Sequence, residues 1–213
     1  MLREIISNDG YVYCSVASLI LLLIVKTFHG KRLNDFLGFL GNSNYLRIYI
    51  KEHSFFDTFD SLLFINFGIN TAAFGWIISQ CFFEYDAMNL VAFLGLFGLI
   101  SGAVLLKIGL QLLLGYAFDA HKFFHVLSFQ QISSLNFAGL VLLPLNAIIV
   151  FNANFNPLAV QITLVSILLI PIIGLVKTIQ SNLNVVTANI FYFILYICTL
   201  EIAPYIVAYN ILN

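Results

Sequence analysis

Long apolar stretches, separated by short polar breaks, constrain this sequence more than any other feature. Most of them hold about 20 residues, the length that an α-helix needs to cross a hydrocarbon core of about 30 Å. We predict that six stretches are membrane-spanning helices, numbered one to six: 11–28, 62–83, 89–118, 134–151, 157–176 and 188–210. The chain is therefore predicted to be a single membrane domain, 1–213, built as an all-α bundle of about six transmembrane helices.

The composition supports a place in the lipid bilayer. Hydrophobic residues make up 61% of the chain and charged residues 9%, whereas soluble domains are about 25% charged. A soluble core of 213 residues could not bury so much apolar surface, so lipid must cover part of it. The formal net charge of −1 argues against nucleic acid as a partner, because no basic face is available for phosphate contacts.

The Lys and Arg residues lie almost entirely on one side of this predicted zigzag. Seven of the nine lie at or after the ends of helices one, three and five: Lys26, Lys31, Arg32, Arg47, Lys51, Lys122 and Lys177. Of the other two, Arg3 precedes helix one and Lys107 lies inside helix three. Because Lys and Arg near short loops stay in the cytoplasm, both termini are predicted to lie outside, N-out and C-out.

The longest connection, 29–61, is predicted to lie on the cytoplasmic membrane surface. Its segment 33–50 mixes apolar and polar residues. This mixture predicts an amphipathic segment that begins as a short helix in the headgroup region. Tyr45–Ile50 fits either a second interfacial piece or a strand that contacts a partner. Ser54 with Asp57 is typical of a capping pair and predicts the start of helix two before it enters the membrane.

Proline marks the second half of the chain. Helices four, five and six contain Pro144, Pro171 and Pro204, and each removes a backbone donor and favours a kink. Asn156 and Pro157 are typical of an N-cap and the first residue of a helix, here helix five.

Two ionisable residues fall inside predicted spans, Lys107 in helix three and Glu201 in helix six. They lie roughly 17 and 20 Å from the cytoplasmic ends of their helices. This matching depth predicts an intramembrane ion pair, with Gln111 one turn from Lys107 on the same face. Three interpretations remain open: a proton or ion relay, a buried pair that fixes helix assembly, or a charge satisfied by a partner protein.

Small residues in helix three predict a face for helix packing. Gly98 and Gly102 are four residues apart and Gly95 precedes them, so another helix can approach this face closely. Apolar area alone gives no preference for protein over acyl chains. We therefore expect a partner to contact helix three or helix six rather than helix one.

His121 and His125 are four residues apart, a spacing that metal sites accept. A metal or haem site would need convergence with His29 or His53, and the interpretation we favour is an ordinary interfacial connection. No nucleophile elbow, zinc-protease pair, phosphate loop or carboxylate cluster is found in the sequence. We expect no cofactor and no enzymatic activity.

Amides are scattered through the spans, with Asn66 and Asn70 on helix two and Asn136 and Asn146 on helix four. Within lipid such groups bond to neighbouring helices, for about 1 kcal/mol or less each. They are interpreted as packing groups rather than catalytic ones.

The sequence Phe191–Pro204, with Leu140–Pro144 in helix four, resembles an uncharacterised family of multi-span inner-membrane proteins from Bacteroidota. The resemblance runs from helix two onward and rests on the pattern Leu-Tyr-Ile-Cys-Thr-Leu-Glu-Ile-x-Pro. It implies a bacterial inner-membrane location and makes Glu201 a family feature, but it implies no catalytic residue.

Two functions follow as expectations. The first is a non-enzymatic subunit of a larger inner-membrane complex, for example an envelope secretion or gliding apparatus, with a membrane-protein partner or a homo-oligomeric neighbour. The second is a small transporter or channel that uses the Lys107–Glu201 pair.

Overall fold

A computed structural model describes residues 9–38, 57–83, 90–152 and 155–181. These residues form helices and no strand. Five helices carry the fold: α1 (Asp9–Leu37), α2 (Thr58–Phe83), α3 (Leu90–Ala117), α4 (His121–Phe151) and α5 (Pro157–Ser181). All five are long and apolar enough to cross a membrane, which confirms a helical architecture of membrane type for the described residues. Helix six (188–210) and most of the interfacial segment 33–50 lie outside the described residues.

Helix α1 bends at His29, where the backbone leaves the helical region with φ −134° and ψ 40°. The predicted span ends one residue earlier, at 28, and helix resumes for the length of 30–37. In this second part Phe36 is buried, with its ring 5.7 Å from that of Phe59 and 6.0 Å from that of Phe137. The start of the predicted interfacial segment therefore packs on the helical bundle.

Helices α2 and α4 form the centre of the bundle. Asn136 bonds to Asp60, and Asn146, ten residues later in α4, bonds to Asn70, ten residues later in α2. The two helices therefore run parallel. A Cβ built on Gly139 would lie 2.6 Å from the Cα of Phe67, so only glycine permits this approach. Helix α1 packs on α2, α3 packs on both central helices, and α5 packs on α4.

Two apolar clusters of buried side chains lie along this centre. One cluster contains Trp76, Ile77 and Leu142, and the other contains Phe59 and Phe129. The buried asparagines of α2 and α4 lie on the same two helices.

Proline lies at the start of α5 and inside both α4 and α5. Leu158 N donates to Asn156 Oδ1 at 2.9 Å and α5 begins at Pro157, which confirms the predicted start of this helix. Helices α4 and α5 continue past Pro144 and Pro171. Pro204 lies outside the described residues.

Candidate functional site

A buried arginine joins the end of α1 to the start of α2. Arg32 Nη1 donates to Asp57 Oδ2 at 2.8 Å, and Arg32 Nη2 donates to Asp60 Oδ2 at 2.7 Å. The guanidinium carbon also lies 4.4 Å from the centre of the Phe59 ring. His29 meets the same ring edge-on, with centroids 5.9 Å apart. We call this group, Arg32 with Asp57, Phe59 and Asp60, the arginine clamp.

The positions of the two carboxylates follow from the start of α2. Asp57 precedes the helix and its Oδ1 accepts a hydrogen bond from Thr58 N at 2.7 Å. Asp60 lies in the first turn, where the helix dipole favours negative charge. Asp57 therefore precedes α2 itself. Ser54 lies outside the described residues, so the predicted capping pair stays a prediction. A planar guanidinium suits this geometry because its fork reaches two carboxylates at once.

Amides of α2 and α4 cross-link the bundle along its centre. Asn136 Nδ2 donates to the carbonyl oxygen of Asp60 at 3.2 Å, and Asn146 Nδ2 donates to that of Asn70 at 3.0 Å. Asn70 Nδ2 in turn donates to Ser18 Oγ on α1 at 3.0 Å. The predicted bonding to neighbouring helices is confirmed for Asn70, Asn136 and Asn146. The side chain of Asn66 instead accepts a hydrogen bond from Asn70 of the same helix, at 3.3 Å.

Several buried polar atoms have no hydrogen-bond partner within the described part of the chain. On the central helices they include Asn66 Nδ2, Asn136 Oδ1 and Asn146 Oδ1. At the α3–α4 interface they include both amide atoms of Gln111 and the hydroxyl of Ser128. Since buried polar groups are almost always hydrogen-bonded, these atoms need partners that the described residues do not supply.

The outer side of α3 carries a stripe of glycines. Around Gly95, Gly98, Gly102 and Gly109, a Cβ would meet no atom of the described residues within 4 Å. At 3.6 residues per turn the four lie within an arc of about 60° over a length of about 20 Å. We call these four residues the open glycine face. The packing face predicted from the sequence did not include Gly109, although its spacing of seven from Gly102 places it on the same side.

Lys107 lies on a different side of α3 from the open glycine face. It is half-buried, at the flank of the surface that packs on α2 and α4, and Gln111 is fully buried one turn later. Glu201 lies outside the described residues, so its pairing with Lys107 stays a prediction.

The two histidines lie in the first two turns of α4 and form no metal cluster with other described residues. His121 is 58% exposed, and its Nδ1 lies 3.8 Å from Asp119 Oδ1. His125 is half-buried one turn later. No group of three or more His, Cys, Asp or Glu residues that could hold a metal ion occurs among the described residues.

The sequence matches a known family over nearly its whole length. Residues 11–212 match the family described as Domain of unknown function (DUF4271). No curated protein and no solved structure matches the chain. The match confirms the predicted likeness to an uncharacterised family.

Proposed function

We propose that this chain, which belongs to the DUF4271 family, is a non-enzymatic subunit of a larger complex in the bacterial inner membrane. The observation that carries the proposal is the open glycine face of α3. The resemblance to Bacteroidota inner-membrane proteins favours an envelope secretion or gliding apparatus as the complex.

The open glycine face is explained if another helix packs closely against it. Glycine weakens a helix by roughly 1 kcal/mol relative to alanine, so four glycines on one face are costly without a packing role. Elsewhere in the bundle glycines have that role, since a Cβ on Gly68 would lie 2.6 Å from the Phe97 ring and one on Gly139 would touch the α2 backbone. Close backbone approach is what drives helix association within lipid. A second membrane protein seated on α3 explains the stripe.

Helix α3 is also poorly covered by the described part of its own chain. Only 11% of the residues in its most apolar stretch are buried, against 61% in α2. Lipid alone could cover Leu99 and Leu106, which are large, apolar and exposed. Contact with lipid does not, however, explain why glycines lie beside them. The proposed partner contacts this surface, and Glu201 in helix six is the proposed second contact.

The proposed topology has six spans with both termini outside. It is supported by the distribution of Lys and Arg. A reporter that is active only outside the cytoplasm should be active when fused at Asn213 and inactive at Asn44. The reverse pattern would overturn the orientation.

Co-purification tests the subunit role. The tagged chain, extracted in mild detergent, should bring a membrane partner in stoichiometric amount. Gly98→Leu or Glu201→Leu should release that partner because each alters a proposed contact, whereas Leu21→Ala on α1 should retain it. Retention in both variants, with loss after the α1 change, would refute the assignment.

A second function is favoured by the polar interior of the bundle. Three fully buried amide side chains have at least one polar atom with no hydrogen-bond partner in the described ranges: those of Asn136, Asn146 and Gln111. Such polar atoms could contact a polar solute that crosses the bundle. With the proposed Lys107–Glu201 pair, this supports a small transporter or channel. Purification as a lone homo-oligomer with a water-filled cavity would favour this function over the first.

A further inference from the structure

The facing sides of α3 and α4 form a regular seam. On α3, residues at alternating spacings of three and four point inward and are buried or half-buried: Phe97, Ser101, Val104, Ile108, Gln111 and Gly115. On α4 the same spacing relates Phe124, Ser128, Gln131 and Leu135. Such spacing keeps one side of each helix against its neighbour.

The turn between the helices fixes which residues face each other. The two helices are antiparallel, since only residues 118–120 separate them. Gly115 and Phe124 meet at the start of the seam, where a Cβ on Gly115 would lie 3.0 Å from Phe124 Cβ. One helical turn further along each helix, Gln111 comes opposite Ser128.

Gln111 and Ser128 have no exposed surface. Within the described ranges, neither polar atom of the Gln111 amide has a hydrogen-bond partner. The Ser128 hydroxyl and Gln131 Oε1 are likewise buried without a hydrogen-bond partner in these ranges. The three groups therefore face one interface with open donors and acceptors and make no hydrogen bond to one another.

We infer that Gln111, Ser128 and Gln131 form an internal binding site for water. A buried water makes about three hydrogen bonds and bridges polar groups that do not reach each other. It donates and accepts, as an amide and a hydroxyl require. The three groups are uncharged, so the site favours water over an ion, which would be buried without a counter-charge. The site lies on the inner side of α3 and is independent of the open glycine face.

Hydroxyl-radical labelling tests this site. X-ray pulses generate radicals from water in place, and the full chain in mild detergent is analysed in ¹⁸O-labelled water. Phe124 lies one turn from Ser128 and is 0% exposed, whereas Phe74 is 7% exposed within an apolar cluster. Internal water predicts that Phe124 takes up ¹⁸O more strongly than Phe74 despite its deeper burial.

Variants assign the labelling to the site. Gln111→Leu with Ser128→Ala should reduce labelling of Phe124 to the level of Phe74. Thr163→Val, at a position on α5 that is also buried, should leave it unchanged. Equal labelling of Phe124 and Phe74 in the unaltered chain would overturn the inference, even if the double variant does not fold. Full labelling of Phe124 in a folded double variant would overturn it as well.

Discussion

Replacing Arg32 with methionine should destabilise the chain strongly. The substitution keeps an apolar stem of similar reach but removes the guanidinium that bonds Asp57 and Asp60. The Arg32 side chain is 6% exposed and that of Asp60 is 2% exposed, so the carboxylate of Asp60 would remain buried beside a second carboxylate.

The magnitude follows from burial. Removing one partner of a buried ion pair costs about 3–5 kcal/mol. The Asp57 side chain is 27% exposed, and its share is nearer the 0–1 kcal/mol typical of surface pairs. Loss of the contact with Phe59 adds about 0.5–1 kcal/mol. We therefore expect Arg32→Met to lower the free energy of unfolding by about 3–5 kcal/mol, dominated by Asp60.

Thermal unfolding in mild detergent, followed by loss of helical circular dichroism, measures this effect. Lys31→Met is the matched control, because Lys31 is the preceding residue and is exposed. Adding Asp60→Asn to Arg32→Met should recover part of the loss, because it removes the stranded charge. Equal unfolding midpoints for Arg32→Met and Lys31→Met would refute the reasoning.

Two further substitutions probe the contact between α2 and α4. Gly139→Ala should cost about 1–3 kcal/mol in the same unfolding assay, because its Cβ meets the backbone of Phe67. Gly109→Ala, which has open space in the described structure, should be neutral or slightly stabilising, and equal effects would contradict this account. Asn146→Leu should lower the free energy of unfolding by about 1 kcal/mol, because it removes the bond to the Asn70 carbonyl. An unchanged unfolding midpoint would show that this bond does not stabilise the bundle.

The sequence was sufficient to predict membrane-type helices, because length and hydropathy depend only on neighbouring residues. It also predicted the start of α5 at Asn156 and Pro157, since capping is local chemistry. The bonding of Asn136 and Asn146 to another helix was predictable, but their acceptors were not. Choosing those acceptors requires the register between α2 and α4, which Gly139 helps to set.

The arginine clamp shows what local patterns miss. Arg32 is 25 residues from Asp57 and 28 from Asp60, and in sequence it is one of several cations that indicate the cytoplasmic side. Asp57 and Asp60 at a helix start are explained equally well by capping and dipole effects. Only the bend at His29 and the packing of Phe36 bring the guanidinium to them.

Photo-cross-linking in intact cells tests the central claim, that the open glycine face contacts another membrane protein. A photoreactive amino acid at Leu106, which is 65% exposed beside the open glycine face, should form an adduct with a second protein, and it leaves the four glycines unchanged. The same group at Leu23, which is 60% exposed on α1, should form none. A protein adduct at Leu23 with none at Leu106 would contradict the claim.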